Sequence, residues 1–247
     1  MVDAKRLVTG FLLAGASSAG LTAGMTVEAP APAGATIAAD SSAATLYKDA
    51  LATTHAWSVH YNSSSTESTQ TLVESGDAGP ASATQTVTMG QGTISILVIG
   101  GISYIKGNSA GLESLAGLSS SQAAEAAGQW IAFSTNNTAF APVVEGVRST
   151  DIAKELALTA PLSLGKTRTL DGESVEAIDG TQSLGKKSQH VVLYVRARGT
   201  HVPVEEDSVD SKGQHTDAEH IIYSKWGEQI RPKAPTATIS VGSISAV

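Results

Sequence analysis

The 247-residue chain contains no cysteine. This removes thiol nucleophiles, disulfides and cysteine-ligated zinc. It does not exclude export, because a domain of this length can bury a sufficient core without covalent staples. Positive charge is scarce: 16 Lys and Arg against 23 Asp and Glu leave a net −7. No basic stripe is available to neutralise phosphates, so nucleic-acid binding is not expected. Aromatics are only 4% of the chain, yet Val, Ile and Leu fall in organised runs, which is a folding composition and not a disordered one. A long apolar run is also missing. A spanning helix wants about 20 predominantly apolar residues, and Leu7 to Gly24 is too rich in Gly, Ser and Thr.

Residues 1–33 do carry the parts of an export signal. Lys5-Arg6 is followed by the apolar Leu7 to Ala14, and Ala31-Pro32-Ala33 offers a small-residue exit. The alternative, a buried first helix, is opposed by Gly10, Gly15, Gly20 and Gly24, each costing about 1 kcal/mol relative to alanine. Loss of residues 1–33 removes Lys5, Arg6, Asp3 and Glu28 together and leaves the charge at −7. The expected organisation is an export segment at 1–33, a linker at 34–42, one domain at 43–235 and a tail at 236–247. The protein is then expected in the cell envelope, the periplasm or outside the cell, with membrane contact through residues 7–25 if they stay uncleaved.

Leu46, Tyr47, Ala50 and Leu51 recur at helical spacing and predict a helix from Ala43 to Leu51. Alternation then predicts strands from Trp57 to Tyr61, Thr69 to Ser75, Ala83 to Met89, Thr93 to Ile99 and Ile102 to Lys106. Ser63 to Thr66 reads as a turn, and Gly100-Gly101 as a tight hairpin. Helices are expected over Leu112–Leu118, over Ser119–Ala127 and from Phe140 to Leu158, with a strand at Trp130 to Phe133. Pro142 suits a first helical turn. The last third predicts strands at Lys166–Leu170, Ser174–Ile178, His190–Arg198, Val202–Glu206 and Ala218–Lys225, with turns at Asp171-Gly172 and Asp179-Gly180. Helix, strands, helices, strands is an α+β order, an antiparallel sheet carrying helices on one side.

No catalytic motif holds together. Ala160 to Thr167 fits a relaxed P-loop, but no strand precedes it and no helix is expected after it. Ser163 to Lys166 and Ser183 to Lys186 both fit S-x-x-K without the helical setting or partner motifs that activate the serine. His215, Asp217 and Glu219 would share a strand face; a metal site is conceivable, and a solvated edge is the simpler reading. Glu205-Glu206-Asp207 and Asp210 read as a polar hairpin tip. Lys106, Arg196 and Arg198 read as exposed salt-bridging residues, with an anionic headgroup as the alternative contact. An enzyme is not expected, nor a cofactor or metal, because no nucleophile, base and orienter can be named together.

Four stretches carry a resemblance to a known family. "GGISYIKGN" resembles a central hairpin, "GQWIAFS" the strand after a helical insert, "LDGESVEAIDG" a strand running into an acidic turn, and "YSKWGEQIRPKAP" a near-terminal strand with a proline stop. Together they are similar to the actinobacterial LppX/LprG-type envelope lipoproteins, whose half-barrel architecture is shared with the LolA and LolB carriers. The likeness covers Ala43 to Pro235. It departs at Leu21-Thr22-Ala23-Gly24, where a lipobox would have cysteine instead of Gly24.

The resemblance implies a strongly curved antiparallel sheet with helices over its concave face and a cavity for a lipid or other hydrophobic molecule. Expected lining residues are Trp57, Val59, Tyr61, Val87, Met89, Ile94, Ile96, Val98, Ile131, Phe133, Val191, Leu193, Val195, Ile221 and Tyr223. Lining and packed-core residues look alike in sequence, so the alternative is a filled core in an envelope interaction or sensor domain with a protein partner.

Overall fold

The computed structural model describes residues 40–67, 70–184, 187–210 and 217–244. The expected export segment at 1–33, with Gly24, and also Lys186 and His215 lie outside them.

Helix α1 (Asp40–Ala56) buries Ala43, Leu46 and Ala50, one face of a helical repeat. It outruns the expected Leu51 by five residues. Thr53 and Thr54 continue it by donating their hydroxyls to the carbonyls of Asp49 and Ala50.

Strands β1 (Val59–Glu67), β2 (Gln70–Ala78), β3 (Ser82–Met89), β4 (Gly92–Ile99) and β5 (Ile102–Gly107) form the expected antiparallel meander. Gly100-Gly101 closes the β4–β5 hairpin. Ser63 to Thr66 is not a turn. It is the second half of β1, paired on one side with β2 and on the other with the strand at 217–224. A central strand satisfies its backbone on both edges, and this overrides the poor strand propensity of serine.

Helices α2 (Ser109–Ser114) and α3 (Ser120–Ala126) follow. Asn108 caps α2, accepting from the Gly111 N–H at 2.7 Å. Ser119 forms a reciprocal capping box with Gln122. Ser119→Ala is therefore expected to cost about 1 kcal/mol, read as a lower urea midpoint with an unchanged slope.

After β6 (Ile131–Ser134), the helix expected from Phe140 to Leu158 is two pieces, α4 (Ala141–Val144) and α5 (Ser149–Glu155). Glu145 leaves α4 in an extended conformation and Gly146 takes φ +80°, which a helix cannot continue through. Pro142 sits in the first turn of α4, as expected.

The rest is β7 (Thr159–Leu164), β8 (Arg168–Leu170), β9 (Glu173–Leu184), β10 (Lys187–Arg196), β11 (Pro203–Asp210), β12 (Asp217–Ser224) and β13 (Ile239–Ser240). Strand β7 was not expected, and no helix follows this P-loop-like stretch. Asp171-Gly172 is a turn between β8 and β9, but Asp179-Gly180 lies inside β9. A side chain on Gly180 would meet Leu162 and Leu158 at 2.9–3.2 Å, so the glycine serves close approach and not chain reversal. Glu205 to Asp207 are likewise mid-strand in β11, paired with β10 and β12, and not a hairpin tip.

The strands make one sheet in the order β13-β6-β5-β4-β3-β2-β1-β12-β11-β10-β9-β7, with β8 on β9. All described pairings are antiparallel except β13 with β6. The molecule is α+β, a large open curved sheet of half-barrel form with five helices among the described residues. The chain beyond Pro235 adds β13 and tucks Ile244 into the core.

Burial divides the interior into two apolar clusters. One joins β2 to β6 with α2, α3 and the α4 segment, around Ile94, Ile96, Ile105, Leu112 and Ile131. The other joins α1 and α5 to β1, β9, β10 and β12, around Val59, Ile178, Leu193 and Tyr223.

Candidate binding site: an acid band between two apolar clusters

Side chains directly opposite one another on paired strands share a face. One inward row runs Ile178, Leu193, Glu206, Ile221, Ser63, Glu74, Val87, Ile94 across β9 to β4. A neighbouring row carries Tyr223, Tyr61, Gly76, Gln85 and Ile96, and a third carries Val191, Ser208, Glu219 and Leu72. Where the rows cross β11, β12, β1 and β2 they turn polar. Glu155, at the end of α5, faces the same region from the helical side.

The polar groups are only partly partnered. Tyr223 donates its hydroxyl to Glu206 Oε2 at 3.1 Å. Ser63 donates to Glu219 Oε1 at 3.4 Å, and the Glu219 N–H donates to Ser208 Oγ at 3.1 Å. Gln182 donates its amide to the Glu155 carbonyl and accepts from Gln189 at 2.6 Å. Oε2 of Glu155 is buried with no hydrogen-bond partner. Among the described residues no ion pair reaches Glu74, Glu155, Glu206 or Glu219.

Burial without a counter-charge favours the neutral acid. Desolvation raises Glu74 from 4.5 to about 7. Glu219 rises to about 8 through desolvation and then the Glu74 charge, against the opposing hydrogen bond from Ser63. Glu206 rises to about 8 through desolvation and the Glu219 charge, with the Tyr223 hydrogen bond pulling the other way. Glu155 is pushed well up by desolvation, then by Glu219 and Glu74. Burial also raises the Tyr61 and Tyr223 hydroxyls well above the ordinary tyrosine value.

A narrow recess reaches this band. It lies between the α4 segment and the sheet, lined by Val87, Ile94, Ile96, Leu115, Pro142 and Val143, with Glu74 and Gln85 at one side and Glu145-Gly146 at another. It holds about 380 Å³ of space between atoms but only about 20 Å³ wide enough for a water. That is room for one water molecule.

Of the expected lining residues, Val87, Met89, Ile94, Ile96, Val98, Ile131 and Phe133 fall in the first apolar cluster. Val59, Tyr61, Leu193, Val195, Ile221 and Tyr223 fall in the second, and Val191 is fully buried. Trp57 is apart from both. It is 40% exposed and lines an open end groove of about 640 Å³ with Gly79, Pro80, Trp226 and Ile230.

The cationic candidates stay on the outside. Lys106 lies over Trp130 at 6.0 Å, Arg196 holds Glu173 in a two-pronged pair at 2.8 and 3.0 Å, and Arg198 is exposed. Glu205, Asp207 and His220 converge within 4.8 Å on the outer face. They satisfy other groups and one another there, through Arg168 on Glu205 at 2.7 Å and His220 with Asp207 at 2.6 Å.

Glu219 is not a solvated edge residue, Glu206 and Ser63 are inward strand residues and not parts of a tip or turn, and Glu74, Glu155 and Gln85 escaped the sequence reading. The signal was present. Leu72, Glu74, Gly76 and Ala78 share one parity, as do Glu219, Ile221 and Tyr223. Strand parity places these glutamates on the apolar face.

No helix among the described residues is long and apolar enough to cross a membrane. No family model matches the chain, and no curated protein matches its sequence. Solved structures do. LprF from Mycobacterium bovis is similar with a TM-score of 0.52 at 14% identity, over 81% of this chain and 99% of LprF. A conserved protein from Thermus thermophilus gives 0.44 at 10% identity, over 81% and 98%. MucB gives 0.43 at 13%, over 84% of this chain and 63% of MucB. The chain therefore has the LprF-type half-barrel fold that its four resembling stretches implied.

Proposed function

We propose that the protein is an exported envelope carrier that binds a lipid or another hydrophobic molecule between the curved sheet and its short helices. The observation that carries this reading is the recess under α4. Its walls carry apolar side chains on both the sheet and helix sides, beside Glu74, Gln85 and Glu145, and its cover is a four-residue helix and a glycine linker. Such a cover has little packing of its own and opens at modest cost. Acyl chains moving from membrane to apolar interior change environment with little net hydrophobic penalty. The binding is non-catalytic.

A second reading keeps the core filled and makes the protein an envelope interaction domain. It is favoured by the small water-sized space in the recess and by the wider Trp57–Trp226 groove at the sheet's end.

Native mass spectrometry of the mature protein, purified from its own envelope without detergent, separates the two. A discrete adduct that solvent extraction releases as a lipid is expected. A bare mass that stays bare after incubation with envelope lipids would instead favour the interaction domain. The same spectrum shows where the mature chain begins.

A further inference from the structure

The turns at one end of the sheet form a continuous rim. Residues 79–81 join β2 to β3, Gly100-Gly101 joins β4 to β5, residues 57–58 join α1 to β1, and residues 225–230 leave β12. They belong to the six adjacent strands β12, β1, β2, β3, β4 and β5, about 24 Å across at the usual strand separation. Contacts tie the turns together. The Gly100 N–H donates to the Ala81 carbonyl at 3.1 Å, and the Gly227 N–H to that of Ser58 at 2.8 Å. A Cβ on Gly79 would meet Ile230 at 3.3 Å, and one on Gly227 would meet the Trp57 ring at 3.4 Å. Lys225 at φ +52° and Gly227 at φ +80° bend the chain on either side of Trp226. The Trp226 Nε1–H donates to the Pro203 carbonyl at 2.8 Å, which holds that indole in place.

The rim is apolar and exposed. Trp57 is 40% and Ile102 47% exposed, and Pro80 and Ala81 are exposed between them. Cations surround these residues. Arg148 donates from Nη2 to the Gly100 carbonyl at 2.7 Å. Lys225 directly precedes Trp226, and Arg231 and Lys233 follow Ile230 as exposed residues. Among the described residues no ion pair reaches any of these four, whereas Lys154, Arg168 and Arg196 elsewhere are each held by an acid. From Lys225 to Lys233 three cations stand against the single acid Glu228, on a chain of net −7. Protein-binding patches are depleted in lysine. An exposed indole beside Lys and Arg is instead the composition of surfaces that lie on an anionic bilayer, where the ring sits among headgroups and the cations meet phosphates.

We propose that this end of the sheet docks on anionic lipid membrane, with Trp57, Pro80 and Ile102 entering the headgroup region and Arg148, Lys225, Arg231 and Lys233 engaging lipid phosphates. The docking surface is independent of the carrier reading above, but its use rests on that reading. A cleft of about 180 Å³ between α4, α5 and the end of β4 lies beside Gly100, with Val98, Val144, Glu145 and Arg148 on its walls. Docking turns the α4 cover toward the bilayer, where an acyl chain passes between membrane and protein without crossing water.

The test is binding of the mature protein to vesicles of phosphatidylcholine alone and of phosphatidylcholine with phosphatidylglycerol in equal parts. It is read by co-sedimentation and by quenching of tryptophan fluorescence with brominated phosphatidylcholine. Binding to the anionic vesicles is expected to be at least tenfold tighter and to weaken with added salt. Quenching is expected in the native protein and is lost in Trp57→Phe, which leaves Trp130 and Trp226 to emit. Each cation near an anionic surface accounts for about fivefold in affinity. Lys225→Gln/Arg231→Gln should therefore lose at least tenfold while its urea midpoint stays unchanged. Equal binding to both vesicles, or a double variant that binds like the native protein, would overturn the proposal. Binding without quenching of Trp57 would overturn it by assigning membrane contact elsewhere, residues 7–25 included. No binding to either vesicle, with a lipid adduct present in the native mass spectrum, would overturn it and leave the groove to a protein partner. A bare mass with docking intact would overturn the carrier reading alone.

Discussion

The protein is expected to lose stability as pH rises from 5 to 8, the reverse of the usual carboxylate effect. Glu74, Glu206 and Glu219 have folded values raised from 4.5 to about 7, 8 and 8. The folded state therefore binds more protons than the unfolded chain across that window, and the slope of stability with pH is negative. The contribution is complete below about pH 4.5, where both states are protonated, and is lost as pH passes the raised values. A shift from 4.5 to about 7 corresponds to about 3 kcal/mol for Glu74 alone. The carboxyls repel one another, so their contributions do not simply sum.

The groups facing the band are Glu74 on β2, Tyr61 on β1, Glu219 and Tyr223 on β12, Glu206 on β11 with Asp207 next to it, and Glu155 and Asp151 on α5. Lys154 on α5 is cationic and is raised chiefly by Asp151 and also by Glu155, but it is not among the causes acting on Glu74, Glu206 or Glu219, so the sign stands. Urea unfolding at pH 5 and pH 8 measures the effect. Glu206→Gln, which can still accept from Tyr223, should flatten the difference. A profile that is level or rises toward pH 8 would mean that the carboxyls are not held in this dry band.

The second large effect is expected at Gly76. A Cβ there would lie 2.3 Å from the Thr84 carbonyl oxygen of β3 and 3.1 Å from the Tyr61 ring edge and hydroxyl. The first neighbour is backbone and cannot swing aside, so Gly76→Ala must part β2 from β3 or displace the strand. Steric changes of this kind belong to the strongly destabilising class, about 3 kcal/mol or more. The Tm should fall accordingly, and hydrogen exchange should quicken first in β2 and β3. Gly90→Ala is the contrast. Its added methyl meets nothing within 4 Å, and its cost is that of a positive φ alone. Equal losses at the two sites would refute the close-approach account of Gly76.

Much of the architecture was legible locally. The apolar alternation of β3 and β4, the Gly100-Gly101 reversal and the Ser119 cap depend on neighbours in sequence, and the structure keeps all three. The failures have a common cause. Ser63 to Thr66 and Thr159 to Leu164 look polar or irregular in isolation and become strands because neighbouring strands take up their backbone groups, and the strand expected at Val202–Glu206 runs on past the supposed tip to Asp210 for the same reason. Conversely, the apolar spacing of Phe140 to Leu158 resembles one helix, and the left-handed Gly146 divides it.

By itself, the sequence determined the α+β order, the absence of thiol and zinc–cysteine chemistry, and the scarcity of positive charge. The fold likeness to LprF was also within its reach, through four short stretches. Only the tertiary structure decided what lies inside. Period-two alternation shows that Glu74 and Glu219 share a face with apolar residues, but not whether that face is wet. It became dry because β12 pairs with β1, bringing Ser63 and Glu219, 156 positions apart, into contact beneath α5. Burial of Glu74 and Glu206 and part-burial of Glu155 and Glu219 then turned four surface-type residues into a band of weak acids, since the cost of a charge depends on the dielectric around it and not on the residue that carries it.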